Sequence, residues 1–181
     1  MNLFKKQLRP EELGAMIYEM VRSAMEGSGD LSVEGLAGSI DRRPEDLDQN
    51  YRGEVVIGLM FAAGLAVERS AHPRTANMIL GGMKSEFLNH LEEQGASILQ
   101  RSEWEAVLSS RFLSYRNCLE DYSGFEPPWK LGREFFWNII GEQLHVAMSV
   151  KIATLYLLEG QSIIQNLLNT HGPSLRIPQD T

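Results

Sequence analysis

The chain has 181 residues, 43% hydrophobic and 23% charged, which is enough apolar material for one domain with a real core and too much for a disordered segment. Seventeen Lys and Arg against 24 Asp and Glu leave a formal charge of −7, which argues against general affinity for phosphate backbones. The one cysteine, Cys118, excludes an intramolecular disulfide and a cysteine-based metal cluster within one chain, and points to a reducing, cytoplasmic setting.

In chain order, residues 1–9 (MNLFKKQLR) are basic, but Glu11, Glu12 and Glu19 follow where a secretory signal would be apolar. They read as a flexible N-terminal segment. Pro10 with Glu11 and Glu12 opens a helix, because proline suits the first turn and acids suit the positive end of the dipole. Leu13, Met16, Ile17, Met20, Val21 and Met25 continue it at helical spacing to the Gly-Ser-Gly at 27–29. A short helix is expected from about Ser32 to Ile40, and another from about Pro44.

Residues 55–67, VVIGLMFAAGLAV, lie between Glu54 and Glu68 without a charged side chain. At the helical rise they reach about 20 Å, short of a hydrocarbon layer of roughly 30 Å, so they do not span a membrane. Gly58, Ala62 and Ala66 form a small-residue stripe opposite the bulk of Ile57, Met60, Phe61 and Val67. A helix apolar all round belongs in the middle of a bundle, and the stripe would alternatively serve a subunit interface.

His72-Pro73 breaks the chain. A helical face resumes from Thr75 to about Ala96 through Met78, Ile79, Met83, Phe87, Leu88 and Leu91. Ser102 with Glu105 has the spacing of a capping box for a further helix to about Tyr122, and residues 123–128 form a connection. From Trp129 to Thr170 the pattern is helical throughout, as one helix or as two, with Gly141 and Gly160 as the candidate bends. Residues 171–181 read as a disordered tail. The expected fold is all-α: a compact bundle of about six to eight helices, a single helical domain over 10–170 with a long C-terminal helical run.

Within that last run Glu134, Asn138, Glu142, His145 and Ser149 fall on one narrow polar stripe, which lines a ligand pocket if it faces inward and meets water if it does not. Trp129, Phe136, Ile140, Leu144 and Ala147 occupy the other side, yet beyond residue 150 that side turns polar through Lys151, Thr154, Ser162, Gln165 and Asn169. Glu142 and His145 have the Glu-x-x-His spacing of di-iron bundles, but the second motif and the two further glutamates are missing, so no metal ligands are assigned. Glu86 with His90 and Glu68 with His72 are four apart, the latter pair at a helix end where the imidazole would face the negative dipole.

In residues 31–57 the placement of Val33, Leu36-Ala37, Leu47 and Tyr51 resembles the helix-turn-helix of TetR-type repressors. The resemblance implies a ligand-responsive regulator. The chain departs from it at Asp41 and Arg42, where the family's turn carries a glycine and an apolar residue, and at Glu45, Asp46 and Asp48 in the would-be reading helix. Residues 1–52 carry seven basic and ten acidic side chains, 7 − 10 = −3, so no DNA-contacting role is carried over.

No phosphate-binding, dinucleotide-binding, nucleophile-elbow, zinc-protease or EF-hand motif is present in the sequence, and no cofactor is expected. Cys118 and the aromatics Trp129, Phe135, Phe136 and Trp137 read as packing residues. The leading expectation is a non-enzymatic protein-interaction module that meets a protein partner or self-associates as a homodimer. A regulator with a degenerate helix-turn-helix and a small-molecule cavity, and a helical metal or small-molecule enzyme, are the alternatives.

Overall fold

A computed structural model describes residues 8–40, 43, 49–120, 127–140 and 147–171. Seven helices form among them and no strand does: α1 Pro10–Glu26, α2 Val33–Ser39, α3 Gln49–Ser70, α4 Pro73–Glu93, α5 Ile98–Glu120, α6 Pro127–Ile140 and α7 Ala147–His171. None of the described helices is long and apolar enough to cross a membrane.

Helix α3 is the axis. The segment Val55–Val67 is buried almost throughout, and α1, α4, α5, α6 and α7 all pack against α3, which is what a helix without a polar face requires. Helix α7 lies along α3, with Gly160 against Leu59 and Gln165 hydrogen-bonded to Ser70, both contacts advancing toward the C-terminal ends of the two helices. The aromatic rings of α6 join this core: Phe135 stacks on Tyr156 of α7 at 6.0 Å and packs against Tyr115 of α5 at 6.5 Å.

Where helices start and stop follows local chemistry. Glu12 accepts a hydrogen bond from the Arg9 backbone at 3.0 Å and opens α1, and the Ser32 hydroxyl accepts from Gly35 N at 2.9 Å and opens α2. Helix α4 ends at Glu93, short of the expected Ala96, because Gly95 takes a left-handed φ of 88° and Ala96 N returns to Leu91 O, a Schellman turn. That turn moves the start of α5 upstream of the expected capping box. Ser97 and Gln100 supply the box, with Ser97 N donating to Gln100 Oε1 at 2.9 Å, while Glu105 pairs with Lys84 at 2.8 Å. His72 caps the start of α4, its Nδ1 accepting from Arg74 N at 3.4 Å, and so sits at a positive helix end where the expectation had it facing a negative one. The expected helix start at Pro44 lies outside the described residues.

The pattern from Trp129 to Thr170 is not one straight helix, since Phe135 and Tyr156 touch and Gly132 lies against Thr154. A straight run would hold Phe135 and Tyr156 about 30 Å apart. Gly160 lies inside α7 and makes room for Leu59. The change of polar side after residue 150 therefore falls between two helices folded onto each other, each with its own neighbours.

Two close approaches bring backbone against backbone or ring. Between α1 and α4, a Cβ at Gly14 would overlap the Ile79 carbonyl, and one at Gly82 would overlap that of Glu11. On α3, Gly58 receives the Phe135 ring. Gly58, Ala62 and Ala66 are all buried within the chain, so the surface they would offer a second subunit is covered by the chain's own helices.

Candidate functional site

At the N-terminal end of α3 the apolar core gives way to a polar seam shared with α5 and α6. The Glu54 carboxylate, 7% exposed as a residue, is held by Arg111 of α5, whose Nε lies 2.9 Å from both carboxylate oxygens and whose Nη2 lies 2.7 Å from Oε1. Taking a carboxylate out of water is costly unless a charge of opposite sign and good geometry answer it, and the guanidinium fork does so. These bonds to Glu54 raise the Arg111 pKa above its ordinary value.

One turn along α5 the seam continues onto α6. The Ser114 hydroxyl donates to Glu134 at 2.7 Å, and Asn138 Nδ2 donates to the Tyr115 hydroxyl at 3.1 Å. Burial pushes the Tyr115 phenol well above its usual range, and the Asn138 amide only partly offsets this. Glu134 and Asn138 are half-buried and face α5, so these two members of the polar stripe meet protein partners across a helix interface. Glu142 and His145 lie outside the described residues, and Ser149 stands in the first turn of α7 with its side chain outside the description.

Beside the seam opens a cleft of about 600 Å³. Glu54, Arg111 and Asn138 line one part of it, and Trp104, Val107 and Ile139 another. Its size falls within the range of about 300–1,000 Å³ common for small-ligand pockets. Polar atoms here that make no hydrogen bond among the described residues include Arg111 Nη1, beside the Nε and Nη2 that hold Glu54, and the Asn138 carbonyl oxygen, whose amide nitrogen is spent on Tyr115. The cleft therefore offers a cationic donor, a neutral acceptor and an indole edge.

No known protein family, characterised protein or solved structure matches the chain. What the site can do is therefore argued from its own chemistry.

The seam was only half legible in the sequence. Asn138 was marked by its stripe, whereas Glu54 and Arg111 lie 57 residues apart and neither belongs to a motif. The one signal was the abrupt boundary of the apolar run: Glu54 and Glu68 close it, and each meets an arginine of α5, Glu68 pairing with Arg116 at 2.6 Å. Of the other marked pairs, His90 contacts Gln94 at 3.0 Å and stands 3.9 Å from Glu93. No group of three or more His, Cys, Asp or Glu gathers among the described residues in a way that would hold a metal ion.

Proposed function

We propose that this chain is a cytoplasmic, non-enzymatic helical protein that binds a small polar molecule in the cleft between α3, α5 and α6. The observation that carries this is the buried Glu54–Arg111 pair at the wall of that cleft, with Arg111 Nη1 and the Asn138 carbonyl left over for a ligand. A buried ion pair adds little net stability over an apolar pair of the same volume, so a ligand-orienting role accounts for it better than a structural one. The ligand carries a carboxylate or carbonyl for Arg111 and an N–H or O–H for Asn138, with an apolar portion against Trp104.

The test is calorimetric titration of the purified chain with free amino acids, hydroxy acids and nucleosides, repeated on the double variant Glu54→Leu/Arg111→Met. That variant replaces the charged pair with apolar side chains and should keep the fold. Binding to the native chain that disappears in the variant supports the proposal; no binding by any of these classes removes it.

A second reading, contact with another protein, is favoured by exposed apolar side chains. Ile98 is 90% and Leu99 69% exposed in the first turn of α5, and Leu155, Leu158 and Ile163 stand out from α7. Light scattering at rising concentration tests self-association, and a mass that stays near 20.4 kDa would exclude a homodimer.

A further inference from the structure

On the other side of Trp104 lies a second, smaller cleft, half-open and about 250 Å³ in volume, between α1, α3, α4 and the start of α5. Trp104 lines both clefts and rests its ring on the bare backbone of Gly53, where a Cβ would collide with it. The second cleft has an apolar and aromatic lining drawn from Tyr18, Val56, Phe87 and Trp104. Phe87 meets Tyr18 edge-on at 6.1 Å and Trp104 edge-on at 6.3 Å, so the three rings form one continuous wall.

The charges at its rim already answer one another. Arg22 is held by Glu19 at 2.6 Å and by Glu26 at 3.1 Å, Arg52 by Glu34 at 3.0 Å, and His90 contacts Gln94 at 3.0 Å. The Tyr18 hydroxyl is different. Its side chain is 2% exposed, yet among the described residues the hydroxyl makes no hydrogen bond and is not sealed from the cleft. The hydroxyl is thus left to meet whatever fills the cleft, water or a ligand. Burial first, and then the charges of Glu19, Glu26 and Glu86 against that of Arg22, push the phenol up and keep its proton, so it stands as a hydrogen-bond donor.

We infer that this cleft is a second ligand site, separate from the α3–α5–α6 cleft, for a small uncharged aromatic molecule with one hydrogen-bond acceptor for the Tyr18 hydroxyl. A charged ligand would have to part an existing ion pair at the rim, whereas a neutral one leaves every pair intact. The volume, below that of drug-sized pockets, sets a ligand of about one ring and a short substituent.

Acetophenone, benzoate and benzylamine serve as neutral, anionic and cationic probes of one size, titrated against the full chain by calorimetry or ligand-observed NMR. Acetophenone is expected to bind most tightly. Tyr18→Phe keeps the ring, leaves the melting temperature unchanged because the hydroxyl holds nothing in the free chain, and weakens acetophenone about tenfold. Met25→Phe, which fills the cleft, abolishes binding, while Glu54→Leu/Arg111→Met leaves it unchanged because that pair belongs to the other cleft. Tighter binding of benzoate or benzylamine, equal acetophenone affinity in Tyr18→Phe or Met25→Phe, loss of affinity in the Glu54/Arg111 double variant, or no acetophenone binding at all would overturn the inference.

Discussion

From Val55 to Val67 helix α3 is wrapped by apolar side chains of its neighbours, whereas its first turns, from Asn50 to Glu54, border two clefts, a buried ion pair and the single indole of Trp104. The two parts belong to one continuous helix, so backbone geometry does not distinguish them. What differs is the company: α6 and α7 close over the middle of α3 with Phe135, Tyr156 and Leu157, while at its start α5 approaches through polar groups and one large ring. Packing is dry around the middle of α3, and polar groups and open space gather where that packing stops.

The contrast can be broken most strongly in the dry part. Phe135→Ala would empty the space over Gly58 and beside Tyr115 and Tyr156, with an expected cost of about 3–5 kcal/mol in urea unfolding. A cost under about 1 kcal/mol would mean that α6 does not seal the core. At the polar end, Arg111→Met alone strands the Glu54 carboxylate and should cost about 2–3 kcal/mol, less than a fully buried pair because Arg111 is about a third exposed. Adding Glu54→Leu should recover most of that loss; if the double variant is as unstable as the single one, the pair is structural and the contrast fails.

A pH series sharpens the same comparison. Burial raises the phenols of Tyr18, Tyr115 and Tyr156 well above the 10.0 expected in the unfolded chain. Above pH 10 the unfolded chain loses phenolic protons that the folded chain keeps, so stability is full below that pH and falls as pH rises toward the folded values. Thermal melts should drop steeply above pH 10, with phenolate absorbance appearing together with unfolding; phenolate absorbance appearing in the folded chain near pH 10 would contradict the burial. The smallest effect is expected at the far end of α3, where Glu68→Ala removes a largely solvated pair with Arg116 and should shift stability by about 0.5 kcal/mol.

Much of this fold is written locally. Pro10 with two glutamates, the Ser32 cap and the uninterrupted apolar run of 55–67 each name a helix without reference to anything distant, because caps and periodicity act within a few residues. Ser97–Gln100 and Ser102–Glu105 both have the spacing of a capping box, and only the left-handed turn at Gly95 decides between them. At the candidate site the local signal fades: Asn138 shows in its stripe, but nothing near Arg111 marks it as the partner of Glu54, and Tyr18 belongs to no motif.

Taken alone, the sequence determined that the chain is all-helical, that 55–67 is central, and that the surface is acidic, since these follow from composition and from contacts between residues a few positions apart. Only tertiary structure decided that the pattern of 129–170 folds back on itself, that Gly58 and Ala62 meet α6 and α7, and that Trp104 divides two clefts at the start of α3. The physical reason is that a pocket is the space several helices fail to fill, and that space depends on how they pack together rather than on any one of them.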